Sequence, residues 1–148
     1  MSSHPVVEVL FIRVDAGALT YRQQQTELRP GTHPDQAALG LGPSGDPLLH
    51  STSWRYDPAG HIVLTYAMCP DPRPDLPGRP VPHTSTAHAE TPTSPSPARI
   101  HLDDVAAHAV RHLAWLAETD PVARDFLTAH PDLSAALSPL NPAPAVRL

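Results

Sequence analysis

The sequence predicts an α+β fold, in which a small, mostly antiparallel sheet of two hairpins is covered by a C-terminal amphipathic helix. Three observations support this prediction. The first half of the chain contains two pairs of short segments rich in β-branched and aromatic residues. The last third has apolar residues at helical spacing. A long proline-rich connection separates the two halves, and neither half is large enough to bury a core alone.

The length and charge of the chain limit the class of protein. Its 148 residues suit one domain, which we predict to span residues 1–148. A net charge of −5 lacks the positive surface of nucleic-acid-binding proteins, so DNA and RNA are not expected partners. No apolar run has the roughly 18 residues of a membrane span, and the N-terminus does not resemble a signal peptide. A single cysteine, Cys69, and the absence of lysine indicate a cytoplasmic protein of a high-GC bacterium.

The first hairpin is predicted from residues 6–25. Residues 6–14 (VVEVLFIRV) are β-branched or aromatic almost throughout, which favours a strand. Turn residues follow, and residues 19–25 alternate as a returning strand. Because only Glu8 and Arg13 interrupt the first strand, we expect it to lie inside the sheet with both faces covered.

The second hairpin is predicted from residues 48–69, so that the two hairpins fill residues 6–69. The sequence DPAG between its strands is typical of a four-residue hairpin loop. A regular register then pairs His50 with Ala67 and Thr52 with Thr65. Because side chains alternate along a strand, a second set of residues is predicted to share the face opposite to that of His50 and Thr52. That set is Ser51, Ser53 and Arg55.

Two connections are rich in proline and glycine. Residues 26–47 are predicted to form a long loop with a short helix at 35–39. Residues 70–98 contain nine prolines and no hydrophobic periodicity. That composition is typical of an extended linker or surface loop with polyproline II character.

The helical segment is predicted at residues 100–137. Asp103 is expected to cap the first helix, and Asp120 to cap the second, which begins at Pro121. The tail, residues 138–148, is rich in proline and is expected to be frayed. The predicted helices span residues 104–118, 121–129 and 131–137.

The candidate ligand-binding residues lie on the first strand of the second hairpin. This strand carries polar groups on both faces, although its partner strand is apolar on nearly both. One interpretation is an edge strand with its polar groups in water and with Trp54 and Tyr56 packed on the core. The other is a cleft for an anionic ligand, in which Arg55 supplies a bidentate guanidinium. The candidates are His50, Ser51, Ser53 and Arg55.

A candidate metal site lies on the predicted first helix. His108 and His112 are spaced i, i+4, as in zinc-binding helices, and Asp104 precedes them by one turn. Ala109 occupies the position where the metalloprotease motif has its glutamate, so no protease is predicted. A divalent metal is thus the one cofactor that the sequence suggests, with His50 or His101 as a further ligand. The alternative is that both rings pack beside the apolar stripe.

The chain resembles two kinds of protein. The segments HSTSWRY and IVLTYAM, the proline-rich spacer and HAVRHLAWL are similar to those of a group of small proteins from high-GC bacteria, a likeness that implies no activity. The order of elements is similar to that of the Nudix fold. The Nudix signature needs a Gly, an Arg-Glu pair and a Glu-Glu pair, whereas residues 26–47 have only Glu27, Asp35 and Asp46 as acids. The resemblance therefore transfers no catalytic residue.

The sequence favours a cytoplasmic binding module that recognises a small polar or anionic ligand or a protein partner. A degenerate Nudix-like or metal-assisted hydrolase is the first alternative. It would need carboxylates or a metal beside Arg55. A structural or assembly subunit is the second alternative, and it would expose a large apolar patch. A homodimer that covers the free sheet face also agrees with the pattern.

Overall fold

The computed structural model describes residues 4–42, 47–82 and 102–148. The described residues form six strands and four helices. Along the chain they are β1 (Val6–Asp15), β2 (Ala18–Glu27), α1 (Pro34–Gly40), β3 (Leu48–Tyr56), β4 (Ile62–Cys69), β5 (Arg79–Pro80), α2 (Leu102–Thr119), α3 (Pro121–Thr128), α4 (Pro131–Leu137) and β6 (Val146–Arg147).

The six strands form one mixed sheet in the order β5-β2-β1-β4-β3-β6. The α+β class and both hairpins are confirmed, because β1 pairs antiparallel with β2, and β3 with β4. The predicted mostly antiparallel sheet of two hairpins is only partly right, since β1 with β4 and β3 with β6 pair in parallel. The two most apolar strands, β1 and β4, occupy the centre, where both of their faces are covered.

Three helices, rather than the one predicted, cover one face of the sheet, which we call the helical face. The predicted apolar stripe of α2 is buried there, together with side chains of α3 and α4. Asp120 caps α3 as expected, since its carboxylate accepts from the Val122 amide at 3.1 Å. Asp103 does not cap, because α2 begins at Leu102, two residues before the predicted start. The Asp103 carboxylate instead accepts from the Tyr21 hydroxyl at 2.6 Å. In the described part of the chain, no helix is long and apolar enough to cross a membrane.

The opposite face, which we call the α1 face, has a smaller cover. The seven-residue helix α1 packs on its centre through Ala38, and the Tyr66 hydroxyl donates to Asp35 at 2.6 Å. This helix does not reach the far end of β3, where Tyr56 is 54% exposed. The buried side chains that pack with Ala38 on this face are Val7, Val9, Phe11, Tyr66 and Met68.

A β-bulge at Thr52 makes the register of β3 differ from the predicted one. Before the bulge, His50 pairs with Ala67 as predicted, but after it Ser53 rather than Thr52 lies opposite Thr65. The extra residue reverses the alternation, because two residues of the bulged strand face one residue of its partner. Ser51 therefore lies on the α1 face, whereas Ser53 and Arg55 lie on the helical face. The predicted common face of Ser51, Ser53 and Arg55 is wrong.

Two segments that were predicted to be irregular contact the sheet. In the tail, residues 138–148, β6 pairs with β3, and Ala143 is buried against α2, so the prediction of a frayed tail is wrong. In the proline-rich connection, β5 pairs with β2 and the Val81 amide donates to the Leu19 carbonyl at 2.9 Å. The rest of that predicted linker, from residue 83 on, lies outside the described residues.

Candidate functional site

Arg55 is held inside the protein by a buried carboxylate. Its Nη1 lies 2.9 Å from Glu8 Oε1, and its Nη2 lies 3.1 Å from Glu8 Oε2. Nη1 also donates to Thr65 Oγ1 at 3.0 Å. Only 13% of the Arg55 side chain is exposed, and none of the Glu8 side chain. The bidentate guanidinium that the sequence predicts for a ligand is therefore already occupied.

The Glu8 carboxylate is saturated with donors. Besides Arg55, it accepts from Thr65 at 2.8 Å and from the side-chain amides of Gln23 and Gln25, each at 2.9 Å. Burial raises the pKa of the Glu8 carboxyl, but the hydrogen bonds and charge of Arg55 and the two amides lower it by more. The net pKa lies below the ordinary value of 4.5, so the group is a charged structural tie between strands.

An open cleft lies a few residues away, where β6 meets the outer edge of β3. We call it the edge cleft. Its volume is about 270 Å³, and it is open to solvent on one side. Two of the four predicted ligand-binding residues, Ser51 and Ser53, belong to its lining. The lining consists of Ser51, Ser53, Trp54, Ala145, Val146 and Arg147.

Arg147 gives the edge cleft its charge. Its guanidinium lies 5.3 Å from the centre of the Trp54 ring and 5.8 Å from that of Tyr56, within range of cation–π attraction. The two rings meet edge to face at 5.6 Å. Among the described residues, Arg147 takes part in no ion pair, and it is exposed. The aromatic pair thus holds an unneutralised cation beside the cleft.

The two serines contribute differently to the edge cleft. Ser51 is exposed and lies on the same sheet face as Trp54, which in turn pairs with Arg147 across the ladder. Ser53 is 3% exposed on the helical face, and its hydroxyl has no hydrogen-bond partner among the described residues. Ser51 is therefore the hydroxyl that a ligand at Arg147 could reach directly.

Sequence reasoning missed Arg147 because the tail was expected to be frayed. The pairing of Arg147 with Trp54 joins residues that are far apart in the chain. A two-residue strand has too few positions to show alternation. The apolar Val146 beside an arginine was the only local signal.

His50 belongs to a different cluster from the edge cleft. Its side chain is on the helical face, where Nε2 lies 3.5 Å from Asp120 Oδ2 and the ring centre lies 5.9 Å from that of His112. The His112 ring stacks on Trp115 at 5.5 Å. The structure therefore separates His50 from Ser51, although the two are adjacent in sequence.

The candidate metal residues are engaged with backbone carbonyls instead. His108 Nε2 lies 3.1 Å from the Thr52 carbonyl, and His112 Nδ1 lies 3.1 Å from the Ala143 carbonyl. Burial lowers the pKa of His112, aided by the charge of His50 and opposed by the Ala143 hydrogen bond. Asp104 is in the first turn of α2. The described residues contain no group of three His, Cys, Asp or Glu side chains able to hold a metal ion, and His101 lies outside them.

Comparison with known proteins adds no assignment. No family model, no curated protein and no solved structure matches the chain. The resemblances to the group of bacterial proteins and to the Nudix fold therefore stay predictions. Function has to be argued from the geometry of the edge cleft.

Proposed function

We propose that this protein is a non-catalytic binding module, and that its edge cleft recognises a ligand carrying a carboxylate or a phosphate group. The observation that carries the proposal is Arg147, an exposed guanidinium that lies over Trp54 and Tyr56 and has no carboxylate partner among the described residues. An arginine presents planar donors that match both anions. Arg147, which pairs with β3, thus takes the anion-binding role that the sequence predicted for Arg55.

The physical advantage of the site is that its cation is partly ordered before binding. A flexible arginine loses rotamer freedom when it binds a ligand, which weakens affinity. Contact with two aromatic rings restricts the Arg147 side chain in advance. The Ser51 hydroxyl, which lines the same cleft, adds a donor.

The composition of the lining favours binding over catalysis. Hydrolysis requires a general base, a nucleophile with its base or a metal beside the bound group. None of the six residues that line the edge cleft has an acidic or imidazole side chain. The volume of about 270 Å³ is close to the roughly 300 Å³ at the lower end of small-molecule sites. It suits a small anionic group rather than a large cofactor.

Tryptophan fluorescence tests the proposal directly, because Trp54 contacts Arg147. The chain has two tryptophans, so Trp115→Phe leaves Trp54 as the only reporter. Titration of this variant with acetate or with inorganic phosphate, at constant ionic strength, should give a saturable change. Arg147→Gln should weaken binding by about 10- to 100-fold, as expected for loss of a charged hydrogen bond worth roughly 1.5–3 kcal/mol.

Arg29→Gln is the matched control, since Arg29 is exposed and the substitution changes the net charge equally. It should bind both anions as the parent does. The proposal fails if no probe that carries a carboxylate or a phosphate changes the Trp54 signal. It also fails if Arg147→Gln binds as well as Arg29→Gln does.

A further inference from the structure

We infer that the anionic group reaches the edge cleft as part of an extended peptide, which adds as a strand to the outer edge of β3. This inference rests on the proposed function, because the acidic group of the peptide would bind at Arg147. The partner is thus an acidic peptide segment of another protein. Inorganic anions and free small carboxylates become controls.

The outer edge of β3 is largely open among the described residues. This strand has nine residues, and β6 pairs with only two of them, Ser53 and Trp54. In the described part of the chain, no strand pairs with the outer edge of residues 48–51. A row of unpaired amides and carbonyls is the template that added strands use.

Strand β6 itself shows how a short segment binds this edge. It lies parallel to β3, and the Leu148 amide donates to the Trp54 carbonyl at 2.9 Å. The tail reaches β3 from α2, where the Ala143 amide donates to the Arg111 carbonyl at 3.1 Å. A peptide lying beside residues 48–51 would continue the line of β6. Its end nearest Ser51 would then enter the edge cleft.

The side chains along this edge favour a particular peptide sequence. Side chains of an added strand alternate between the two faces of the sheet. On the α1 face they would meet the half-buried Leu49, the Ser51 hydroxyl and the rings beside Arg147. An apolar residue followed two positions later by an acidic one matches that order. Lysine-rich or arginine-rich segments would be repelled by Arg147.

The openness of the cleft favours a peptide over a free small anion. Ligand sites that hold small molecules usually bury most of the ligand surface. The edge cleft is open on one side, so a lone carboxylate or phosphate there stays largely hydrated. Backbone pairing along β3 adds hydrogen bonds that a small anion cannot make.

The test uses Trp54 fluorescence in the Trp115→Phe chain with four kinds of probe. The main probes are acetylated and amidated hexapeptides of alternating valine and threonine that begin with valine, with one aspartate in place of the valine at the third or fifth position. The second kind replaces that aspartate with asparagine. The third kind is a pair of aspartate hexapeptides with N-methyl groups on alternate amides. One is methylated at the odd-numbered residues and the other at the even-numbered residues. The fourth is N-acetylaspartate amide, which offers the same carboxylate without a strand.

The inference predicts at least tenfold tighter binding of an aspartate hexapeptide than of N-acetylaspartate amide. The asparagine peptide should lose at least tenfold. Of the two N-methylated peptides, one should lose binding and the other keep it, because only alternate amides of an added strand face β3. Arg147→Gln should lower the affinity for the aspartate peptide to the affinity that the parent has for the asparagine peptide. Arg29→Gln should leave the affinity for the aspartate peptide unchanged.

Two negative outcomes are distinguishable. If acetate and phosphate bind through Arg147 but no hexapeptide binds tighter than N-acetylaspartate amide, the peptide inference is overturned and the proposed function stands. The same holds if both N-methylated peptides bind equally. If no probe of any kind responds to Arg147→Gln, the proposed function itself fails. Slower hydrogen exchange of the amides of residues 48–51 on peptide binding provides an independent readout.

Discussion

Glu8 and Arg55 form a bidentate ion pair across three strands, with Nη1–Oε1 at 2.9 Å and Nη2–Oε2 at 3.1 Å. Glu8 is on β1 and Arg55 on β3, and Thr65 on the intervening β4 donates to the same carboxylate. The pair therefore ties the two hairpins together inside the sheet. An arginine that sequence reasoning assigned to a ligand instead holds the fold.

The first prediction concerns this pair. Arg55→Ala should lower the free energy of unfolding by about 3–5 kcal/mol, because it leaves the fully buried Glu8 carboxylate without its cation. Urea denaturation measures the change. Arg147→Ala is the control, and we expect it to cost less than about 1 kcal/mol, since it removes only exposed cation–π contacts. The double variant Glu8→Leu/Arg55→Met should lose less than Arg55→Ala does, because no buried charge remains.

The second prediction is a pH dependence of stability that originates at His112. Burial holds the folded-state pKa of His112 below its ordinary value of 6.5, so the unfolded chain takes up the proton first. The stability contributed by the neutral ring is thus complete above pH 6.5 and is lost as the pH falls through the folded-state pKa. His112→Gln should flatten the unfolding free energy between about pH 5 and 7. A pH profile of His112→Gln that is as steep as that of the parent would contradict this prediction.

The third prediction concerns the tail. Deletion of residues 143–148 removes the Ala143–Arg111 and Leu148–Trp54 backbone hydrogen bonds and uncovers His112. We expect a loss of about 1–3 kcal/mol, from roughly 0.5–1.5 kcal/mol for each hydrogen bond. Trp54 emission should also shift to the red as its environment becomes wetter. A deletion variant with unchanged stability and emission would show that the tail is not bound in solution.

The fourth prediction concerns the β3–β4 turn. Gly60 has φ of +88°, in the left-handed region that other residues adopt at a cost. Gly60→Ala should therefore destabilise the protein by about 1 kcal/mol. Gly40→Ala is a matched control, because Gly40 has no neighbouring atom within 4 Å of an added Cβ and no positive φ. Equal thermal unfolding temperatures of the two variants would contradict the strained turn.

The sequence predicted those parts of the fold that depend on local patterns. Helix α2 buries the expected stripe, and Asp120 caps α3, because both follow from spacing within one or two turns. The pairing of His50 with Ala67 agrees with the prediction because two differences cancel: Tyr56 pairs with Ile62, so the hairpin loop is one residue longer than the predicted four, and the bulge at Thr52 offsets that shift. The central position of β1 follows from its apolar content.

The parts that failed depend on contacts between distant residues. The parallel pairing of β1 with β4 joins two hairpins, and no local pattern encodes their order. Glu8 is a charged residue in an apolar strand, and only the fold shows that Arg55 forms an ion pair with it. The bulge at Thr52 shifted the predicted face of every residue between it and the turn. For the candidate site, two of four residues line the cleft, and its cation came from the tail.

The bulge also determines where this hairpin tolerates insertions and deletions. Thr52 is the extra residue of β3, so a chain one residue shorter there would form a regular strand with every remaining side chain in its present layer. The neighbouring β4 has no surplus residue, and a deletion at Tyr66 would exchange its core side chains between the two layers. Length variation among relatives of this chain should therefore occur at Thr52 and spare β4.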